Sequence, residues 1–287
     1  VRQAIVDLYD AYTHSALDRR EFLNRLAVLA GGTAAAQLLL PLLESNYARA
    51  AVVRPDHRDL VALRVEYEGS RGRLHGYLAH RRDRTGPLPT VLVIHENRGL
   101  NPHIEDVTRR LALAGFLALA PDMLSPKGGT PVDEDAARTL IRELDDVAVL
   151  ADLKASVSWL AARREGNGRV GCVGFCWGGG NANRLATLDA RLAAVVVYYG
   201  RVPPVGTVPR IEAPLLLHSA GLDARINVGL EAYEQALQEA GKPYTLHRYA
   251  EANHAFNNDT NAARYAPAAA ALAWDRTLRF LDTHLHA

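Results

Sequence analysis

An α/β fold, with a mostly parallel central sheet and helices on both faces, is the architecture this sequence predicts, on three observations. Four short apolar runs, TVLVIHE (90–96), FLALAPD (116–122), AAVVVYYG (193–200) and APLLLHSAG (213–221), read as strands buried on both sides. Segments of helical spacing alternate with them, the order that builds parallel sheets. The third observation is GFCWGGG (174–180), where a short strand, a glycine-rich turn and a helix succeed one another directly.

The elements follow in order. LVALRVEYEG and GRLHGYLAH alternate apolar and polar residues around GSRG, which predicts a β-hairpin ahead of the first buried strand. Residues 104–114 have helical spacing and stop at Gly115, a natural C-cap, before the strand that Pro121 closes. A polar stretch with Gly128, Gly129 and Pro131 leads into a helix from about Glu134, and a longer helix runs to Ala162. Residues 169–173 form the strand entering the glycine-rich turn, and 181–188 the helix leaving it. After the Pro-rich loop between 200 and 213, residues 228–240 are helical, YTLHRYAE (244–251) is a strand and 267–285 form a closing helix. No linker or repeat interrupts the chain after residue 60. The reading is one catalytic domain over 51–287, preceded by a distinct segment, 1–50.

Composition narrows the function. With 287 residues, 48% of them hydrophobic and 23% charged, and a net charge of +1, the chain has the make-up of a soluble enzyme. No basic run suggests nucleic-acid binding. The only cysteines, Cys172 and Cys176, sit four apart on a near-extended segment, roughly 13 Å between Cα atoms, which is beyond disulfide reach. No Cys/His spacing predicts zinc, and no phosphate-binding glycine loop is present, so no metal or cofactor is expected.

Residues 1–50 have another character. Arg19 and Arg20 precede an apolar run from Leu26 to Leu43, and Ala48 and Ala50 form an A-x-A site. That order resembles a twin-arginine export signal and predicts a periplasmic enzyme, although Asp18 and Asn24 depart from the usual signal. The other reading is a helical segment retained and packed on the enzyme, with a cytoplasmic location. Gly31, Gly32, Gln37 and Pro41 weaken the run as a permanent membrane span.

The chemistry gathers at the strand ends. In a glycine-x-nucleophile-x-glycine turn, Gly174 and Gly178 allow strand and helix to pack closely, so the central Cys176 is pushed outward. Glu96 ends the first buried strand, Asp223 lies just beyond the fourth, and His254 lies in the loop after the last, all where ligands collect in such sheets. Nucleophile, acid, base is the chain order of α/β-hydrolase triads. Each residue also has a structural reading. Cys172 reads as a small buried hydrophobe. Among eleven histidines His218 is the rival base. Asp223 is also placed to cap a helix, and Glu251 and Asp259 are alternative acids.

At these positions the chain resembles the dienelactone hydrolase family of α/β-hydrolases: HENRGLNPHIEDVTRRLALAGFLALAPDML, VGCVGFCWGGG, VVYYG, GLDARI and NHAFNN carry the likeness over about residues 60–285. The resemblance implies Cys176 as nucleophile, His254 as base, Asp223 as its orienting acid, and Glu96 as a carboxylate that contacts the thiol. It implies an oxyanion hole from the backbone N–H groups of Asn97 and Trp177. Tyr198 and Tyr199 of VVYYG, with Arg98 and Arg138, are candidate substrate contacts. Family members acting on dienelactone hold the substrate carboxylate with arginines; where one is expected, four residues after His254, this chain has Asn258, leaving Arg98, Arg138 and Arg201 as possible replacements.

The expected function is cofactor-free hydrolysis of a small ester or lactone by a monomer or homodimer. Other activated acyl or phosphoryl esters are the alternative substrates. A non-catalytic thiol-sensing module is the alternative from another class. A thiol with an ordinary pKa of about 8.5 needs a proton acceptor to become the nucleophile, and Glu96 or His254 could serve.

Overall fold

The structure is a computed structural model that describes residues 1–15, 17–47 and 51–286. Its elements are α1 (Gln3–His14), α2 (Arg19–Ala30), α3 (Thr33–Leu43), β1 (Leu60–Glu68), β2 (Arg73–Arg81), β3 (Leu88–Ile94), α4 (Pro102–Leu113), β4 (Leu117–Asp122), α5 (Glu134–Arg142), α6 (Asp146–Ala161), β5 (Gly166–Phe175), α7 (Trp177–Ala186), β6 (Leu192–Tyr198), β7 (Leu215–Ala220), α8 (Ala224–Asn227), α9 (Leu230–Glu239), β8 (Tyr244–Tyr249) and α10 (Pro267–Leu285). The strands form one sheet in the order β1-β2-β4-β3-β5-β6-β7-β8. The β1–β2 hairpin pairs antiparallel with β4, and the remaining pairs are parallel.

The apolar runs are explained by two helix layers. Alternate residues of a strand face opposite sides. Val91 and Val93 of β3 join Ile104, Val107 and Leu111 of α4 and Leu281 of α10 on one side. Leu92 and Ile94 join Leu153 and Val157 of α6, Leu185 of α7 and Leu237 of α9 on the other. All four β3 side chains are fully buried. At about 1.5–3 kcal/mol for each large apolar side chain removed from water, a polar residue on either face would be costly. The sheet therefore presents its carboxyl edge, where β3, β5, β6 and β7 end, as the place for chemistry.

Residues 1–47 pack on this domain as a helical layer of their own. Ile5, Tyr9 and Tyr12 of α1 share a small core with Phe22 and Leu26 of α2 and Ala36 and Leu43 of α3. The apolar run read as one segment breaks at Gly31 and Gly32, whose φ values of 86° and 146° favour glycine, and α2 and α3 meet at 112°. Among the described residues no single helix is long and apolar enough to cross a membrane. Arg19 is paired with Glu44 and Asp135. The A-x-A site at Ala48 and Ala50 lies outside the described residues.

Candidate active site

The tight turn comes first, because everything else is measured from it. β5 ends at Phe175, α7 begins at Trp177, and Cys176 between them has φ 54° and ψ −113°. A non-glycine residue at positive φ is strained and must be held by its surroundings. Here the holding is steric and hydrogen-bonded. A Cβ on Gly174 would strike the Gly178 carbonyl, and one on Gly178 would strike the carbonyls of Ile94 and His95. The Cys176 N–H donates to the Tyr198 carbonyl at 3.0 Å, anchoring the turn to β6. The helix starts four residues earlier than periodicity alone predicts, since the glycine run is itself helical.

Asp223 and His254 meet across the ends of β7 and β8. Asp223 Oδ2 accepts a very short hydrogen bond from His254 Nδ1, while Oδ1 accepts from the Ile226 N–H at 3.2 Å. One carboxylate thus caps α8 and orients the ring. Both residues are buried, and Nδ1 on a carboxylate leaves Nε2 as the chemically available nitrogen. The rivals are accounted for: Glu251 is exposed, and Asp259 pairs with Arg110 and lies 3.2 Å from His103. His218 bonds Tyr249 and Thr277 at 3.0 and 3.1 Å inside the core. Cys172 is fully buried, and burial pushes its thiol upward, toward inertness.

Glu96 makes no hydrogen bond to the thiol among the described residues. Its Oε2 accepts from Asn258 Nδ2 at 2.7 Å, and its Oε1 accepts from the Tyr199 hydroxyl at 3.5 Å. Burial raises its carboxyl, but the positive charges of His103, Arg98 and Arg264 outweigh this and hold it below the usual range. Asn258, where the resemblance led one to look for a substrate-binding arginine, instead positions Glu96. The backbone N–H of Asn97 has no acceptor among the described residues. Trp177, first residue of α7, has no partner four residues back in its helix. Both are free to serve as oxyanion donors.

A second histidine at the thiol comes from a segment that motif reading leaves apart. His14, the last residue of α1, places Nε2 3.2 Å from Cys176 Sγ. Its other nitrogen faces the Asp10 carbonyl and Asp10 Oδ1 at 3.0 Å each and the Thr13 hydroxyl at 2.9 Å, so Nδ1 carries a proton and Nε2 is directed at sulfur. The His14 and His254 rings meet edge to face at 4.6 Å. Burial raises the Cys176 thiol, yet the positive charge of His14, then that of His254, draws it down to about 5; with thiolate and Asp223 beside it, His254 is pushed up to about 10 against its own desolvation. One ligand atom from each of His14, Cys176 and His254 lies within 4.8 Å of the others, a clustering with metal-site dimensions. The direct 3.2 Å contact is shorter than the ~3.6 Å that zinc bonds of ~2.3 and ~2.05 Å would set between tetrahedral ligands, and reads as a hydrogen bond. Only the D-x-x-x-H spacing of Asp10 and His14, one helical turn, marks this dyad in the sequence.

A cavity of about 650 Å³ opens beside the thiol, lined by His14, Asn97, Trp177 and His254 and by Arg138, Arg142, Arg184, Arg201 and Arg225, against one acid, Asp146. Arg184 pairs with Asp146, Arg225 with Asp10 and Arg138 with Asp135; Arg142 and Arg201 have no ion-pair partner among the described residues, and Arg142 donates to the Ser15 carbonyl and the Thr139 hydroxyl. Two expected substrate contacts are corrected. Arg98 is buried between Glu134, at 2.8 Å, and the Tyr9 hydroxyl, at 2.9 Å, because α1 covers it. Tyr198 turns into the core, where its hydroxyl meets Thr277 at 2.7 Å. Tyr199 supports the site from behind, with its ring 5.0 Å from that of His254.

The chain is similar to known proteins over most of its length. The sequence pattern of the dienelactone hydrolase family matches residues 74–285, and that of a family described as YqhI-like matches residues 1–31. A carboxymethylenebutenolidase-like protein of Escherichia coli O157:H7 is 35% identical over 224 residues, 72% of this chain and 82% of its own. A Bradyrhizobium sp. protein, named as a 2-oxo-3-(5-oxofuran-2-ylidene)propanoate lactonase, is 36% identical over 70% of this chain and 86% of its own. A dienelactone hydrolase-like crystal structure from Klebsiella pneumoniae subsp. pneumoniae MGH 78578 superposes with TM-score 0.72 at 31% identity, covering 78% of this chain and 98% of the other.

Proposed function

Since the chain belongs to the dienelactone hydrolase family and is an ester or lactone hydrolase, we propose that it works through Cys176 as nucleophile, with His254 and Asp223 as the proton-transferring dyad. The observation that carries this reading is Cys176 itself, held at φ 54° between two glycines beside the buried His254–Asp223 pair. A residue is kept in a strained turn when its position is needed.

The thiolate attacks the carbonyl carbon; the S–C bond forms, and the carbonyl electron pair moves to oxygen. The N–H groups of Asn97 and Trp177 stabilise that oxyanion. Collapse expels the alkoxide, which takes a proton from the His254 imidazolium. Neutral His254 then takes a proton from water as the water attacks the thioester. Asp223 keeps Nδ1 protonated throughout.

The cavity supports an anionic substrate. Five arginines against one acid favour a carboxylate-bearing ester or lactone, and unpaired Arg201 is the group proposed to meet that carboxylate. The Bradyrhizobium relative is named for a propanoate substrate. For residues 1–50 we propose retention on the enzyme, supported by the packing of α1, α2 and α3 and the grip of Arg138 and Asn97 on the end of α1. Export or residence in the cytoplasm is then decided by cell fractionation, with intact mass reporting the segment.

The decisive experiment is Cys176→Ala beside Cys172→Ala. Loss of ~10³-fold or more in kcat for the first alone supports the nucleophile. Equal activity of the two variants overturns it.

A further inference from the structure

The Cys176 thiol touches a histidine that the Cys176–Asp223–His254 reading does not use. His14 is held at both ring nitrogens. The ring is one-tenth exposed, Nδ1 faces three oxygens, and Nε2 ends on sulfur at 3.2 Å. Asp10 is itself held by Arg225, whose Nε lies 3.2 Å from its Oδ2.

The catalytic domain also grips the end of α1. Arg138 donates to the Tyr12 carbonyl at 2.9 Å, Asn97 to the Thr13 carbonyl at 2.8 Å and Arg142 to the Ser15 carbonyl at 2.9 Å. These donors satisfy carbonyls that the helix C-terminus leaves open. They also fix the position of the residue between them. A segment that only covered the surface would not need three cavity-lining residues to hold its last turn.

We propose that His14, oriented by Asp10, is a second catalytic histidine, taking the Cys176 proton on Nε2 and holding it while the thiolate acts. The proposal rests on Cys176 being the nucleophile. In the first step the S–H bond breaks, its electron pair stays on sulfur, and the proton bonds to His14 Nε2. The His254 imidazolium protonates the leaving alkoxide, then regains a proton from water. When the thioester breaks, the thiolate leaves and recovers the proton from His14. Each histidine moves one proton in each half-cycle, in opposite directions in the two halves, and the sum is ester plus water giving acid plus alcohol. In this division His14 carries the thiol proton, and His254 handles the protons of the leaving alkoxide and the attacking water.

His14→Gln tests it, using metal-free full-length enzyme and two readouts: turnover, and the pH dependence of iodoacetamide alkylation of Cys176. The groups facing His14 that also bear on this titration are Asp10 on its own helix and Cys176, His254, Arg225 and Arg264 from the domain. The expected result is a ten- to thousandfold fall in kcat, equal for p-nitrophenyl acetate and for an alkyl ester, with the alkylation midpoint moved up by one unit or more. His254→Gln should differ by harming the alkyl ester more, because its alkoxide needs a proton. Asp10→Asn, which keeps the ring, should shift both readouts in the same direction by a smaller amount and covers the case of a poorly folded His14 variant. Turnover and alkylation unchanged within twofold in His14→Gln overturn the inference, as does a rise in activity, which would make α1 a plug. If Cys176→Ala retains activity, the nucleophile assignment fails instead, and the two failures are thereby separated.

Discussion

Asn258 Nδ2 donates a 2.7 Å hydrogen bond to Glu96 Oε2, and that bond turns the carboxylate toward the protein interior. The buried carboxylate balances Arg98, His103 and Arg264, whose charges keep it ionised. We therefore propose that Glu96 balances buried positive charge beneath the site.

Glu96→Gln should accordingly keep kcat within about fivefold while lowering stability by about 1–3 kcal/mol, since the buried positive groups lose their anion. Steady-state kinetics beside a denaturation midpoint check this. A hundredfold fall in kcat with unchanged stability would return Glu96 to the role of thiol activator.

The thiol and its histidines give a pH prediction with a definite sign. The Cys176 value near 5 makes iodoacetamide alkylation rise through about pH 5, where an ordinary thiol reacts with a midpoint near 8.5. The same shifts act on stability. The depressed thiol contributes fully only above about pH 8.5, and its contribution is lost as pH falls through about 5. The raised His254 contributes fully below about pH 6.5, and loses its contribution as pH rises through about 10. An alkylation midpoint above pH 8 would contradict the thiolate–imidazolium arrangement.

The fold was legible because its signals are local. TVLVIHE cannot be other than doubly buried, and Gly174-x-Cys176-x-Gly178 states a steric requirement between two packed elements. Asp223 and His254 were legible from their places just past strand ends. What could not be read were contacts made by elements distant in sequence. His14 lies 162 residues from Cys176, and nothing in the sequence of α1 says which surface it covers. The arginine pair and apolar run resemble an export signal, while the core of Tyr9, Tyr12 and Phe22 depends on how α1 and α2 meet. Arg98 was read as a candidate substrate contact for a similar reason, because α1, which buries it, was not placed on the domain.

Arg201 offers a test of substrate charge. Arg142 and Arg201 both line the cavity without an ion pair among the described residues, but Arg142 is engaged by the Ser15 carbonyl and the Thr139 hydroxyl, which leaves the Arg201 guanidinium to bind an anion. Arg201→Ala should raise KM about tenfold or more for a carboxylate-bearing lactone and leave neutral p-nitrophenyl acetate within about twofold. Equal effects on both substrates would show that Arg201 shapes the cavity without reading charge.

Two glycines of one turn should behave oppositely. A Cβ at Gly178 runs into the Ile94 and His95 carbonyls, backbone atoms of β3 and the segment after it that cannot move aside without disturbing the sheet. At Gly180 the nearest atoms to a new Cβ are 3.5 Å away on Arg201, ordinary contact, and the position lies inside α7. Gly180→Ala should therefore be neutral or stabilising by up to about 1 kcal/mol, as alanine is the better helix former. Gly178→Ala should cost about 1–3 kcal/mol or displace the turn. Because α7 begins at the residue after Cys176, any displacement moves Sγ relative to the Trp177 N–H, and activity should fall further than stability does. Melting temperature and iodoacetamide reactivity measured on both variants check the pair. A Gly178→Ala enzyme as stable and as reactive as Gly180→Ala would mean that the close approach of α7 to β3 does not hold Cys176 in place.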